Sequence, residues 1–221
     1  MAQVAALRWQ DAIDKLPEIE TWSDWGAIFL DVPTWAPLVE EICRRATLPC
    51  HTIQTGYPGS NAVFIVNAAL PGARAVVKIY APLCREDYDF EREMHLLLAR
   101  GPELGAPRLL AHGVLVSETR WPYVVLSYVP GEPIREVRDQ LSEADLMAVA
   151  ADLGRRVRIL HAMSSDAVPS LDPTLAGWQA YVDAQVPRVV RELRRETSLP
   201  DRLLRQIPGF VAEVQIGRAH V

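Results

Sequence analysis

Apolar residues recur at two different spacings along this chain and divide it into regions. In the stretch TWAPLVEEICRRA, within residues 1–48, they recur at helical spacing, which predicts a helix with Thr34 as its N-cap. Between residues 49 and 81 the pattern changes to short runs rich in Val, Ile and Phe, separated by Gly, Pro and Ser. Such runs are typical of strands joined by tight turns. They predict a three-stranded antiparallel meander whose second turn is Pro71-Gly72.

One helix and two further strands are predicted after the meander. The stretch REDYDFEREMHLLLARG has acidic residues in its first turn, Gly101 at its end, and an apolar face made by Phe90, Met94, Leu97 and Leu98. The stretches PRLLAHGVLVSE and RWPYVVLSYVPG then predict strands four and five. From Ser142, a predicted N-cap, the chain favours helices, with later ones around Trp178–Glu196 and Pro200–Val214. The order predicts an α+β fold: a five-stranded antiparallel sheet with one helix, followed by a helical region.

The composition excludes several classes of protein. A net charge of −5 with 49% hydrophobic residues is typical of a globular domain and argues against nucleic acid as a partner. No run of about 18 apolar residues is present, so no membrane partner is expected, and without an apolar signal core a cytoplasmic location is predicted. Three cysteines without a CxxC pair indicate neither a disulfide scaffold nor a zinc site. Motifs of α/β-hydrolases, Rossmann folds and Walker-type ATPases are also missing from the sequence.

Lysine is scarce, and one lysine lies where a positive charge is costly. Of the 23 basic residues only Lys15 and Lys78 are lysines. Lys78 lies within the apolar strand AVVKIY, on the same face as Val76 and Tyr80. Burying an ammonium group is unfavourable unless it is paired. Lys78 is therefore either an edge-strand residue that extends to water or one that has a dedicated partner.

The following helix offers two carboxylates as that partner. Glu93 lies about 60° from the centre of the apolar stripe, taking roughly 100° per residue, and borders the predicted buried face. Glu91 lies roughly 100° off on the other side and is the weaker candidate. Glu93 is therefore the predicted partner of Lys78, and a solvated carboxylate is the alternative.

Two loops complete a pattern of candidate binding features. The turn Gly56–Asn61 contains Gly, Pro, Ser and Asn, and its backbone N–H groups could approach a phosphate closely. The alternative is an ordinary hairpin turn. The apolar run Val124–Gly131 ends in Pro-Gly and suits a connector whose free backbone groups could hydrogen-bond a planar base. The alternative is a plain strand end.

In this order, the Gly turn, strand lysine, helix glutamate and apolar connector resemble the N-lobe of a eukaryotic-like kinase. In detail they are most similar to the aminoglycoside phosphotransferase and choline kinase-like family: PGSNAVFIVN to its nucleotide loop, VVKIY to its lysine strand, FEREMHLLL to its glutamate helix and YVVLSYVPGEPI to its hinge. The resemblance runs from about residue 38 to 215. Residues 1–48, helical by their pattern, are then expected to be an N-terminal extension, of which 1–37 match the family core poorly. The resemblance implies a kinase-like N-lobe with the hinge at its end at 49–131 and the partial helical start of the C-lobe at 132–215.

The resemblance implies a phosphate-binding role for residues of the loop and the Lys/Glu pair. The backbone of Gly59, Ser60 and Asn61 would cover the phosphates. Lys78 would hold the α- and β-phosphates and would be oriented by Glu93.

The resemblance also implies the remaining ligands. The carbonyl of Ser127 and the N–H of Val129 would bind adenine. The family transfers the γ-phosphoryl group of ATP, sometimes GTP, to a hydroxyl group and uses Mg²⁺. Nucleotide and a small hydroxyl-bearing substrate are thus the expected partners of the parent protein, with ATP (or GTP) and Mg²⁺ as cofactors.

The catalytic loop of that family has no counterpart in the 221 residues. The loop resembles H-G-D followed closely by Asn, but the two asparagines, Asn61 and Asn67, precede the hinge, and neither His161 nor His220 begins an H-x-D. No catalytic or metal-binding residue is therefore predicted. The final IGRAHV is the translation of ATC GGA AGA GCA CAC GTC, which resembles a widely used sequencing adapter, so residues 216–221 are expected to be an artefact.

Two functions follow as expectations. The first is an N-terminal fragment of an ATP-dependent small-molecule kinase, cut at residue 215, inactive alone and poorly soluble because apolar helix faces would be exposed. The alternative is a non-catalytic nucleotide-binding or interaction module of kinase-like fold.

Overall fold

The computed structural model describes residues 9–67, 74–85, 87–170, 172, 174–196 and 199–213. The predicted Pro71-Gly72 turn and the predicted adapter residues 216–221 lie outside this set. After a helical segment at 9–13, the elements are α1 (Trp22–Ile28), α2 (Val32–Arg45), β1 (Thr52–Thr55), β2 (Ala62–Asn67), β3 (Arg74–Ile79), α3 (Asp87–Leu98), β4 (Leu109–Val116), β5 (Arg120–Ser127), α4 (Ile134–Val137), α5 (Glu143–His161), α6 (Leu175–Glu196), α7 (Asp201–Leu204) and α8 (Ile207–Glu213). Short 3₁₀ turns lie at Pro82–Cys84, Pro102–Leu104, Arg138–Gln140 and Ser165–Ala167.

Side-chain caps fix where the helices near the N-terminus begin. At α1 the Thr21 hydroxyl accepts from the Asp24 N–H, and the Asp24 carboxylate accepts from the Thr21 N–H, which forms a capping box. The N-cap of α2 is Asp31, whose carboxylate accepts from the N–H of Thr34 at 3.3 Å. The prediction of Thr34 as N-cap was therefore wrong, because Pro33 can occupy the first turn of a helix without losing a hydrogen bond.

The sheet has five antiparallel strands in the order β1-β2-β3-β5-β4, and with its helices it confirms the predicted α+β fold class. Strand β3 is central. Lys78 lies opposite Val63 of β2 on one side and Val124 of β5 on the other. Lys78 is thus not an edge-strand lysine. It lies on the central strand, with a neighbouring strand on each side.

The two faces of the sheet are covered differently. The α1–α2 region packs on one face and forms the larger core, which includes Trp25, Trp35, Phe64, Val77 and Trp121. On the other face, under α3, a smaller cluster contains Tyr80, Tyr88, Val124 and Leu126. Because neighbouring residues of a strand alternate between faces, Val77 faces the larger core and Lys78 the side of α3.

The described residues divide into two compact units with the boundary after Ser170, and the helices after the sheet belong partly to the first unit and partly to the second. In the first, Ser142 caps α5 as predicted, and the apolar face of this helix is largely exposed, at 42% for Val149, 59% for Leu153 and 38% for Val157. In the second, the segment predicted as one helix from Pro200 is divided into α7 and α8. Within the described residues, none of the helices combines the length and apolar character needed to cross a membrane.

Candidate functional site

An ion pair links the central strand of the sheet to α3. The ammonium nitrogen Nζ of Lys78 lies 2.5 Å from Oε2 of Glu91. Both side chains are partly buried, at 20% and 27% exposure respectively. The ring of Tyr80 lies beside the ammonium, 4.9 Å from Nζ to its centroid. The lysine that the sequence singled out therefore has a carboxylate partner in a partly desolvated position.

The partner is Glu91 and not Glu93, so the prediction that Glu93 orients Lys78 was wrong. Oε2 of Glu93 accepts hydrogen bonds from the N–H and the hydroxyl of Ser170, at 2.9 and 2.6 Å. The prediction used Phe90 to mark the buried face of α3, but Phe90 is exposed. The helix instead directs Tyr88, Glu91 and His95 inward, at i, i+3 and i+7 spacing.

The surroundings of Glu91 keep its carboxylate ionised. Burial opposes ionisation, but interactions with His95 and Lys78 outweigh it and lower the pKa of Glu91 from 4.5 to about 2. Nε2 of His95 lies 3.8 Å from Oε1 of Glu91, and Nδ1 of His95 lies 3.3 Å from the carbonyl of Pro107. Burial raises the pKa of the neighbouring Asp87, opposed by its attraction to Lys78. At neutral pH the Lys78–Glu91 pair is therefore a salt bridge.

The Gly56–Asn61 turn is anchored at both ends and open in the middle. The N–H of Gly56 donates to the carbonyl of Val63 at 2.7 Å. The Asn61 side chain is buried, and its Oδ1 accepts from the N–H of Ala81 at 3.0 Å. A Cβ atom at Gly59 would meet nothing within 4 Å. The side chain of Asn61 is thus structural, while the backbone at Gly59 faces open space.

At the tip of this turn an aromatic ring contacts the segment that follows β5. The guanidinium carbon of Arg135 lies 5.4 Å from the ring centroid of Tyr57, within cation–π range. Arg135 belongs to α4, which begins soon after the predicted hinge. The exposed tip of the turn therefore also contacts the chain, through Tyr57 and Arg135.

The two predicted adenine-binding residues of the hinge lie at the last residue of β5 and just after it. Ser127 donates its N–H to the carbonyl of Arg108 at 2.8 Å, and its hydroxyl accepts from the N–H of Arg108 at 2.9 Å. Val129, two residues further, is half exposed. The end of β5 is thus fixed to the chain before β4, and the apolar Val129 is available to a ligand.

The apolar pattern of α3 predicts Glu91 only as the weaker partner of Lys78 and does not indicate His95, which lies beside Glu91. Both errors came from locating the buried face of α3 from apolar residues alone. The signal that could have found them is the polar and aromatic stripe Tyr88, Glu91 and His95, which has the same helical spacing as an apolar stripe.

The donor set fits a nucleotide better than it fits a metal ion. A lysine ammonium, exposed loop backbone and an exposed apolar residue can contact phosphates and a base. Among the described residues, no three His, Cys, Asp or Glu side chains come together to hold a metal ion.

Comparison with known families agrees with this geometry. Among curated proteins, none matches the chain. The family model described as the phosphotransferase enzyme family matches residues 55–215, which is more than half of the chain and includes the turn, Lys78, α3 and the end of β5. The chain therefore belongs to the phosphotransferase enzyme family.

Proposed function

We propose that this chain carries the nucleotide-binding lobe of an ATP-dependent or GTP-dependent phosphotransferase that acts on a hydroxyl group of a small polar molecule, such as an aminoglycoside-like compound. The observation that carries the proposal is the Lys78–Glu91 salt bridge between the central strand and α3. Removing both charges partly from water has a desolvation penalty that can exceed the attraction between them, so the pair is better explained by a binding role than by a gain in stability. Membership of the phosphotransferase enzyme family supports the same reaction class.

Each part of the proposed nucleotide site has a chemical role. Lys78 contributes positive charge for the α- and β-phosphates, and Glu91 holds it in one direction. The backbone of Gly59, Ser60 and Asn61 covers the phosphates with its N–H groups. The carbonyl of Ser127 and the N–H of Val129 hydrogen-bond the adenine edge. The domain boundaries at residues 48/49 and 131/132 belong to this proposal.

The chain alone is proposed to bind nucleotide without transferring phosphate. The sequence after Gly131 contains no H-x-D and no asparagine, and these groups orient the acceptor and hold Mg²⁺ in kinases of this type. Transfer therefore requires a protein that contains this lobe together with a catalytic loop. The same observation favours the second candidate, a nucleotide-binding or interaction module without catalysis.

The scarcity of lysine makes a direct test possible. A nucleotide probe that carries an amine-reactive acyl group on its terminal phosphate acylates a lysine held beside the phosphates. We expect labelling at Lys78, suppressed by excess ATP, and none at the exposed Lys15. The variants Lys78→Met and Lys15→Met form a matched pair. ATP-induced thermal stabilisation should disappear in the first and persist in the second.

The outcomes separate the candidates. ATP-protected labelling of Lys78 supports nucleotide binding, and subsequent phosphoryl transfer by a longer protein with an H-x-D loop supports the kinase over the module. Equal labelling of Lys15 and Lys78, or labelling that ATP leaves unchanged, contradicts the nucleotide site.

A further inference from the structure

A tryptophan of α1 contacts the turn that lies over the proposed phosphate site. The indole Nε1–H of Trp25 donates to the backbone carbonyl of Ser60 at 2.9 Å, across 35 positions of sequence. Trp25 is 2% exposed while Ser60 is exposed, so the hydrogen bond is partly buried and its donor side is held in the core. Trp25 precedes the region 55–215 that matches the family. The contact thus joins a segment outside the family match to a loop within it.

The indole of Trp25 has little freedom to move. Its ring centroid lies 5.7 Å from that of Trp35 in an edge-on arrangement and 6.3 Å from that of Trp121 in a stacked one. The ring centroid of Phe29, the residue that follows α1, lies 6.2 Å away. Because side chains in such a packed cluster keep one rotamer, the N–H of Trp25 is a fixed donor, and the Ser60 carbonyl must come to it.

The next residue of the turn is held from another direction. Oδ1 of Asn61 accepts from the backbone N–H of Ala81 at 3.0 Å, which ties the turn to the chain just after β3. Ser60 and Asn61 are therefore fixed by two different elements, whereas Gly59 has no protein atom near its Cβ position. Fixing the peptide groups on one side of a turn restricts where the neighbouring N–H groups point.

We propose that Trp25 is a positioning residue for the proposed phosphate-covering turn, so that its hydrogen bond to the Ser60 carbonyl sets the affinity for nucleotide phosphates. The proposal rests on the proposed function. Trp25 itself does not contact the nucleotide in the proposed site. It acts by holding the Ser60 peptide group, and a preorganised loop binds more tightly because less ordering remains to be done on binding.

The chain offers a matched control in Trp35. This residue is equally buried in the same cluster, and its indole N–H also donates to a backbone carbonyl, that of Ile28, at 2.8 Å. Ile28 belongs to α1 and not to the turn. The variants Trp25→Phe and Trp35→Phe therefore lose similar volume and one similar hydrogen bond each, but only the first loses a bond to the turn.

The test combines amide exchange and nucleotide affinity in the full chain. Without nucleotide, we expect amide exchange of residues 56–63 to be about threefold to tenfold faster in Trp25→Phe than in Trp35→Phe, with similar urea midpoints. ATP should bind Trp25→Phe about threefold to tenfold more weakly than wild type. AMP, which lacks the β- and γ-phosphates, should change less than about twofold in affinity. A purely structural role of Trp25 would weaken both ligands equally.

Several results would overturn the proposal. One is equal amide exchange of residues 56–63 in Trp25→Phe and Trp35→Phe. Another is a loss of ATP affinity that is the same in Trp25→Phe as in Trp35→Phe. If Trp25→Phe does not fold, β-(3-benzothienyl)alanine at position 25 keeps the size of the indole and removes only the donor, and the same comparison is made. If wild type binds no ATP, the proposed function fails, and the exchange comparison without nucleotide still decides whether Trp25 positions the turn.

Discussion

Replacing Glu91 by glutamine tests which carboxylate of α3 controls Lys78. The substitution keeps the shape of the side chain and removes its charge. Lys78 then loses the partner 2.5 Å away and gains freedom to turn from the phosphate position. Glu93→Gln is the matched control, because it is two residues away and its carboxylate binds Ser170, a contact that a glutamine oxygen can also accept.

The expected magnitude follows from the pKa of Glu91. A value of about 2 against the ordinary 4.5 corresponds to ~3 kcal/mol in favour of the ionised carboxylate in the folded protein. Solvent reaches 27% of this side chain, and screening lowers the net contribution to ~1–2 kcal/mol. We therefore expect Glu91→Gln to reduce the free energy of unfolding by that amount and ATP affinity about tenfold.

The assay is isothermal titration with ATP, together with urea unfolding of wild type and both variants. Glu93→Gln should bind ATP within about twofold of wild type, because its side chain makes no contact with Lys78. The sequence alone predicts the opposite order, in which Glu93→Gln weakens ATP binding more than Glu91→Gln does. If Glu93→Gln weakens ATP binding as much as Glu91→Gln does, the role assigned here to the Lys78–Glu91 pair is refuted.

Three further outcomes can be measured on the same chain. The lowered pKa of Glu91 stabilises the fold fully above pH 4.5, so the stability difference between wild type and Glu91→Gln should shrink as the pH falls from 4.5 towards 2, in urea unfolding at a series of pH values. Asn61→Ala leaves the N–H of Ala81 unpaired and should cost ~1–3 kcal/mol in urea unfolding, whereas Asn67→Ala, at an exposed contact with Thr52, should cost less than ~0.5 kcal/mol. Gly59→Ala meets no protein atom, so its thermal midpoint should match wild type while ATP, measured by titration, binds more weakly.

Much of the fold was predictable because each element has a strong local signal. The strands of the meander are short β-branched runs between turn residues, and α5 begins with a serine and an aspartate in capping-box spacing. The prominence of Lys78 was also predictable, since a charged residue in an apolar strand stands out against an otherwise arginine-rich chain. These features depend on residues close together in sequence.

The remaining features depend on contacts between distant segments. The rotation of α3 about its axis is set by packing on the sheet, and this decides between Glu91 and Glu93. The hydrogen bond from Trp25 to Ser60 joins two elements whose local patterns are unrelated. The periodicity within α1 and α3 leaves the choice of buried face open, because each helix contains more than one stripe of residues that could be buried.

The strand order has a consequence for synthesis of the chain on the ribosome. β3 obtains its second neighbour from β5, while β4, made earlier than β5, has in the described part of the chain only β5 as its strand partner. A nascent chain that ends before Arg120 can thus form only a three-stranded sheet with β3 as an open edge. Open edges pair readily with other chains. Emergence of Ser127 from the ribosomal tunnel is therefore the step after which β3 can have a strand on both sides and no longer presents an open edge.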